Sequence, residues 1–125
     1  MSTLTQVVAA IIHLDGKYFI AQRPLHKNHG GLWEFPGGKV QQEELLEEAI
    51  IRELREELNL IVDIVGQQLG RITEEKIAIH FLDVSVTGQM LLREHQDARW
   101  CTPAELLDLP LCPIDERFVR EILNA

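Results

Sequence analysis

LWEFPGGKVQQEELLEEAIIRELREELNL, residues 32–60, decides how this chain is read. From Glu43 to Asn59 it holds no Gly or Pro, and Leu, Glu, Arg, Ala and Ile dominate. Leu46, Ile50, Leu54 and Leu58 recur every fourth residue with Ile51 beside them, which predicts one amphipathic helix over Glu43–Asn59. Asn59 is its expected end, because Asn tolerates the left-handed conformation found there. One face breaks the usual pattern. At about 100° per residue, Glu53, Glu56 and Glu57 fall within an arc of roughly 100°, with Glu57 at the edge of the apolar stripe. Glu53 and Glu57 stand at a spacing where like charges destabilise a helix by roughly 0.2–0.5 kcal/mol. They also lie in the last turns, where the helix dipole disfavours negative charge. A charge run is ordinarily a solvated face, but that does not explain acids beside the core stripe at the wrong helix end. Clustered carboxylates become favourable when hard cations neutralise them. Mg²⁺ and Mn²⁺ demand oxygen ligands of this kind, and substrate phosphates commonly complete the Mg²⁺ shell.

Outward from the helix, strand signals alternate with turns. Gln6–Leu14 is rich in β-branched residues, Asp15-Gly16 follows, and Lys17–Arg23 resumes with Tyr18, Phe19, Ile20 and Ala21, a hairpin pattern. His26–Gly31 reads as a loop, and Leu32–Phe35 as a short aromatic strand ended by Pro36-Gly37-Gly38. Leu60–Gly66 and Lys76–Val86 read as strands, Gly88 as a turn, and Arg93–Asp97 as a charged loop before Arg99-Trp100-Cys101. Thr102-Pro103-Ala104-Glu105 carries the N-cap, first-position proline and returning glutamate of a helix start, expected to run to about Leu107. Asp115–Leu123 reads as a terminal helix. Strands, helix, strands, helix in that order favour an α/β sandwich around a mixed sheet.

Composition narrows the function. The chain has 125 residues, enough for a single domain over 1–125, and 46% are hydrophobic, which excludes disordered and low-complexity classes. Its net charge is −8, from 20 acids against 12 bases, so a nucleic-acid polymer is not the expected partner. A small phosphorylated ligand remains compatible, provided a divalent metal stands between the two negative partners. Cys101 and Cys112 make neither a disulfide framework nor a zinc set and suit a reducing compartment. The apolar run Val7–Leu14 is too short to span a bilayer and has no basic segment before it, so no signal peptide and no membrane partner are expected, and the expected location is cytoplasmic.

Gly38, Glu44 and Arg52-Glu53-Leu54-Arg55-Glu56-Glu57-Leu58-Asn59-Leu60 together resemble the Nudix box. That signature runs Gly, five residues, Glu, seven residues, Arg-Glu-aliphatic, one residue, Glu-Glu, one residue, Gly-aliphatic. Every position matches except the last Gly, here Asn59, a change expected to preserve the helix end. Leu32 to Lys39 is similar to the strand and turn entering the box in MutT-type nucleotide hydrolases. Val7–Ile12, Ala21-Gln22-Arg23-Pro24 and Glu94 through Trp100 fit the same group, and Leu109 to Asp115 is similar to a segment of the CTP pyrophosphohydrolase branch.

The resemblance implies a Nudix fold, an α/β/α sandwich with a central mixed sheet. It also implies hydrolysis of a nucleoside triphosphate to monophosphate and pyrophosphate, with Mg²⁺ as cofactor and Mn²⁺ as a substitute. Carried over by position, Glu53, Glu56, Glu57 and the carbonyl of Gly37 would hold metal, with Glu94 as an extra ligand from a loop. Glu53 is favoured as the base taking the proton of the attacking water, with Glu94 as rival. Arg52 joins the catalytic set as the ion-pair partner that fixes the glutamates, and Glu44 has an orienting or capping role. Lys39 and Arg23 are candidates for phosphate contact, with solvated surface positions as the alternative. Phe35 and Asp115 match positions that frame the base. The MutT pattern for oxidised guanine has Asn where this chain has Asp115; an ionised carboxylate accepts from an amine such as cytosine N4 and also from the guanine N1–N2 edge, unless Asp115 merely caps the last helix. His80 and His95 are read as packed or solvated, not catalytic.

The substrate expected is a small nucleotide of (d)CTP type or a damaged one. Alternatives are 8-oxo-dGTP, ADP-ribose, a dinucleoside polyphosphate or a capped RNA end. A non-catalytic nucleotide-sensing module is disfavoured because such modules can lose box glutamates and none is lost here. A monomer or weak dimer is the expected state.

Overall fold

The computed structural model describes residues 4–125. Its central sheet is mixed. β1 (Thr5–Ile11) lies parallel to β7 (Ile77–Thr87) and antiparallel to β5 (Gly37–Lys39), while β6 (Ile61–Glu74) lies antiparallel to β7. β1 is continuously apolar from Val7 to Ile11, where both of its faces are covered. Val8 and Ala10 join Leu82 and Val84 beneath α1 (Leu46–Leu58), through its Ala49, Ile50, Leu54 and Leu58. Ala9 and Ile11 face the other way, onto Phe81 and the Phe118 of α3 (Pro113–Phe118). The α/β sandwich expected from the element order is what forms.

A second sheet is built around β3 (Lys17–Gln22), paired with β2 (His13–Leu14), β4 (Trp33–Glu34) and β8 (Asp97–Cys101). The expected hairpin is present but short. Asp15 and Gly16 both take positive φ, 52° and 78°, as a two-residue turn with matching twist requires. The chain leaves the central sheet at Ile12, so β1 and β2 serve different sheets.

The boundaries around Gly37 and Gly66 differ from the sequence reading. The short aromatic strand does stop before Pro36, but Gly37-Gly38 also begins a further strand, β5, in which a glycine is required where the two backbones meet. A β-carbon on Gly37 would collide with the Val8 carbonyl. β6 runs on past Gly66 to Glu74, through register shifts at Val62/Ile64, Val65/Gln68 and Gln68/Gly70. These irregularities erase the alternation that marks a strand in sequence. The helix start at Thr102 holds: α2 (Pro103–Leu106) has Thr102 Oγ1 accepting from Glu105 N at 3.2 Å and Glu105 accepting from Thr102 N at 2.8 Å. After α3 the chain widens into a π-helical turn, Val119–Leu123. Cys101 and Cys112 are buried free thiols, and among the described residues no helix is long and apolar enough to cross a membrane.

Candidate active site

α1 begins later than its composition suggests, at Leu46, with Glu48 accepting from Leu45 N at 2.8 Å. Asn59 closes it at φ 59°, and its N–H together with that of Leu60 returns to the carbonyls of Arg55 (3.1 Å) and Leu54 (3.2 Å). The acidic arc spans the boundary between core and solvent. Glu57 is 4% exposed, Glu53 is partly buried, and Glu56 points outward.

Arg52 ties this face together. Its Nε and Nη2 donate to both carboxylate oxygens of Glu44, at 2.7 and 2.9 Å, a bidentate pair. Its Nη1 donates to Glu53 at 3.0 Å and Glu56 at 3.3 Å, and Nη2 also reaches the carbonyl of Lys39 at 3.0 Å. Glu44 further accepts from Gln41 N at 2.9 Å. These bonds, Arg52 first, hold the Glu44 carboxyl down at about 2. Arg52 thus sits among these acids, where the family resemblance puts an ion-pair partner.

The carboxyls of Glu53 and Glu57 lie within hydrogen-bond reach, and burial pushes both above the ordinary carboxylate range. For Glu57 the value is about 9, raised first by desolvation and then by the charges of Glu53, Glu94 and Glu34. Glu94 sits exposed on the loop before β8, close enough to act on Glu57. Among the described residues, no three acidic, histidine or cysteine side chains converge on one point. The donor chemistry still fits a hard divalent cation: the groups are oxygens, and Glu57 is a buried carboxyl crowded by like charge that such an ion would relieve.

Glu34 was not singled out in the sequence, and it joins this cluster to the neighbouring cleft. It accepts from Arg23 Nη1 at 3.1 and 3.3 Å and pairs with His95 Nε2 at 3.0 Å. The ring of His95 is buried, with Nδ1 at 3.9 Å from Glu57. A charged residue inside the aromatic run Leu32–Phe35, and a histidine directly after Glu94, were the available signals. Arg23 Nε also holds the carbonyl of Asn28 at 2.7 Å, so Arg23 shapes the loop as well as bordering the cleft.

The cleft has a volume of about 580 Å³, with Val7, Ile79, Arg23, Lys39, Cys112 and Asp115 among its walls. A smaller recess of about 140 Å³ reaches in toward Phe35, Gly37 and Gly38. Asp115 is not a helix cap. It lies inside the first turn of α3 and accepts from Phe35 N at 3.0 Å across the fold. Trp33 N to Pro110 O and Cys112 N to Trp33 O, both 2.9 Å, zip the segment before α3 onto β4 and set this distance. Complete burial raises the Asp115 carboxyl to about 7 against the opposing pull of the Phe35 N–H, with Glu34 adding to the rise and Arg23 opposing it. The ring of Phe35 is 3% exposed and packs edge-on to Phe118 at 5.7 Å and Phe81 at 6.3 Å, so it bounds the recess from the core side. His80, paired with Gln6 at 2.6 Å, lies outside both groups.

An acidic helix, an arginine gathering its glutamates and a cleft of about 580 Å³ beside them define a class, and residues 3–122 match the NUDIX domain. The chain belongs to the Nudix family and is a Nudix hydrolase. It is 41% identical to the CTP pyrophosphohydrolase of Escherichia coli over 116 residues, 90% of this chain and 86% of that one. It is 34% identical to a putative 8-oxo-dGTP diphosphatase 2 of Mycobacterium tuberculosis over 128 residues, covering 95% and 88%. Among solved structures, the E. coli ORF135 protein superposes with a TM-score of 0.86 at 40% identity, covering 95% of this chain and 88% of that one. A MutT structure from work on Aliivibrio salmonicida and Vibrio cholerae gives 0.84 at 32% identity, covering 98% of each.

Proposed function

We propose that this chain is a Mg²⁺-dependent pyrophosphohydrolase that converts a nucleoside triphosphate to its monophosphate and pyrophosphate. The observation that carries the proposal is the Glu53–Glu57 pair, largely withdrawn from solvent, crowded by Glu94 and held through Glu53 by Arg52 beside the cleft. Glu53, Glu56, Glu57 and Glu94, with the carbonyl of Gly37, would hold the metal. When bound, divalent ions supply positive charge to phosphate oxygens and acidify the attacking water. Glu53 takes the water's proton, being the partly exposed member of the buried pair; Glu94 is the rival base. Lys39, whose side chain borders the cleft, supplies charge to the polyphosphate, and Arg23 supports it while braced on Glu34.

The substrate favoured is cytidine-type. Asp115 faces the cleft with one oxygen on Phe35 N, and its carboxylate suits an exocyclic amine such as cytosine N4. The 41% identity to a CTP pyrophosphohydrolase supports this. An oxidised guanine is the second reading, favoured by the relative named "Putative 8-oxo-dGTP diphosphatase 2", because Asp115 can also accept from a guanine edge. Incubation with CTP, dCTP, 8-oxo-dGTP and ADP-ribose in Mg²⁺ tests the proposal. Monophosphate and pyrophosphate from a triphosphate are expected, with kcat/KM ranking the bases. Glu53→Gln should remain folded and lose most turnover.

A further inference from the structure

Asn59 occupies the position where the Nudix box has glycine, and its side chain is not idle. Its Nδ2 donates to the carbonyl of Gln89 at 3.2 Å, and its Oδ1 accepts from Arg93 Nη2 at 3.1 Å. Two backbone bonds run alongside, Leu91 N to Leu58 O at 2.9 Å and Arg93 N to Glu57 O at 3.1 Å. The last two carbonyls of α1, those of Glu57 and Leu58, are thus satisfied by the loop that carries Glu94. Arg93, the residue before Glu94, is held to the backbone of Glu57 itself. Glycine could supply the left-handed turn at this position but neither side-chain arm.

We propose that Asn59 is a positioning residue: its amide clamps the 89–93 segment against the end of α1 and so sets Glu94 beside Glu57. This rests on the reading of Glu94 as a member of the metal site. With the clamp present, Glu94 reaches the cluster from a loop already ordered, and the cost of ordering it is not charged to metal binding. The backbone bonds alone leave Gln89 and the Arg93 guanidinium untethered.

Asn59→Gly tests it, since glycine keeps the helix end. Amide hydrogen exchange, followed without metal or nucleotide, should show Leu91 and Arg93 exchanging about tenfold faster or more. The Leu60 amide, bonded to Leu54 O, is the control and should stay protected. In the Mg²⁺ titration of turnover, half-activation should move about 10-fold or more to higher concentration, a size typical of groups that orient ligands, with little change in nucleotide KM. Asn59→Asp, which keeps the Arg93 arm and loses the Gln89 arm, should fall between. Unchanged exchange at Leu91 and Arg93 overturns the clamp, whatever the protein hydrolyses. Equal loss of protection at Leu60 means that only the cap was disturbed, and this also overturns it. Faster loop exchange with an unmoved Mg²⁺ titration overturns the link to Glu94. A protein that hydrolyses no triphosphate would defeat the functional reading while leaving the exchange result to decide the clamp.

Discussion

Gly38 presents a bare Cα to the carboxylate of Glu53: a β-carbon there would lie 2.5–2.7 Å from the carboxylate carbon and both oxygens. The requirement is therefore for space at the acid, not for an unusual backbone angle. Gly38→Ala must displace Glu53 or the β5 backbone, which is paired to Val8. Turnover should fall about 10–100-fold, the range for changes that disorient a ligand, while the melting temperature moves only a few degrees. Wild-type turnover with a crystal structure showing Glu53 in place would count against this.

Arg52→Lys should be nearly as damaging as Arg52→Ala. The guanidinium spans Glu44, Glu53, Glu56 and the Lys39 carbonyl at once, and an ammonium cannot make the bidentate pair with Glu44. The expected outcome is a loss of about 10–100-fold in kcat/KM with a raised Mg²⁺ requirement. Retention of activity by the lysine variant would show that charge alone suffices.

The acidic helix could be read from sequence because its information is local. Residues four apart share a face, and Glu57 at the stripe edge is the member found buried. The Thr102 cap and the Asp15-Gly16 turn were local in the same sense. What escaped depends on contacts between distant segments. Glu34 meets His95 across 61 positions and Phe35 meets Asp115 across 80, and no spacing rule reports either. β6 escaped for a different reason, since its bulges break the alternation and much of it is exposed. Asn59 was legible as a helix end, but its hold on Gln89 and Arg93 was not.

As a member of the proposed metal site, Glu57 would link metal binding to pH. Its carboxyl stands at about 9 in the folded chain against an ordinary 4.5, so between those values the folded state keeps a proton that the unfolded chain has lost. Stability contributed by that proton is complete below about 4.5 and is lost as pH rises through about 9. In EDTA, Glu57→Gln should melt above wild type at pH 8.5 and near it at pH 4.5. Mg²⁺ should raise the wild-type melting temperature more at pH 8.5 than at pH 6, because ligands must be deprotonated to bind. Glu57→Gln should lose most of that gain. Equal stabilisation of both proteins by Mg²⁺ would remove Glu57 from the ligand set.

Asp115→Asn separates holding the fold from reading the base. Asparagine retains an oxygen for the Phe35 N–H but cannot ionise, and its amide nitrogen donates where a carboxylate accepts. The Asp115 carboxyl is raised from 3.8 to about 7 by complete burial, so its proton stabilises the fold at low pH and that contribution fades as pH rises from about 4 to 7. The variant should therefore melt above wild type at pH 8 and close to it at pH 4. Its kcat/KM for CTP should nevertheless fall about 10–100-fold, matching roughly 1–3 kcal/mol for a base contact. A variant that is more stable yet poorer toward cytosine nucleotides assigns Asp115 to recognition. One that gains stability and keeps full activity leaves Asp115 only its bond to Phe35, and the base must then be read elsewhere in the cleft.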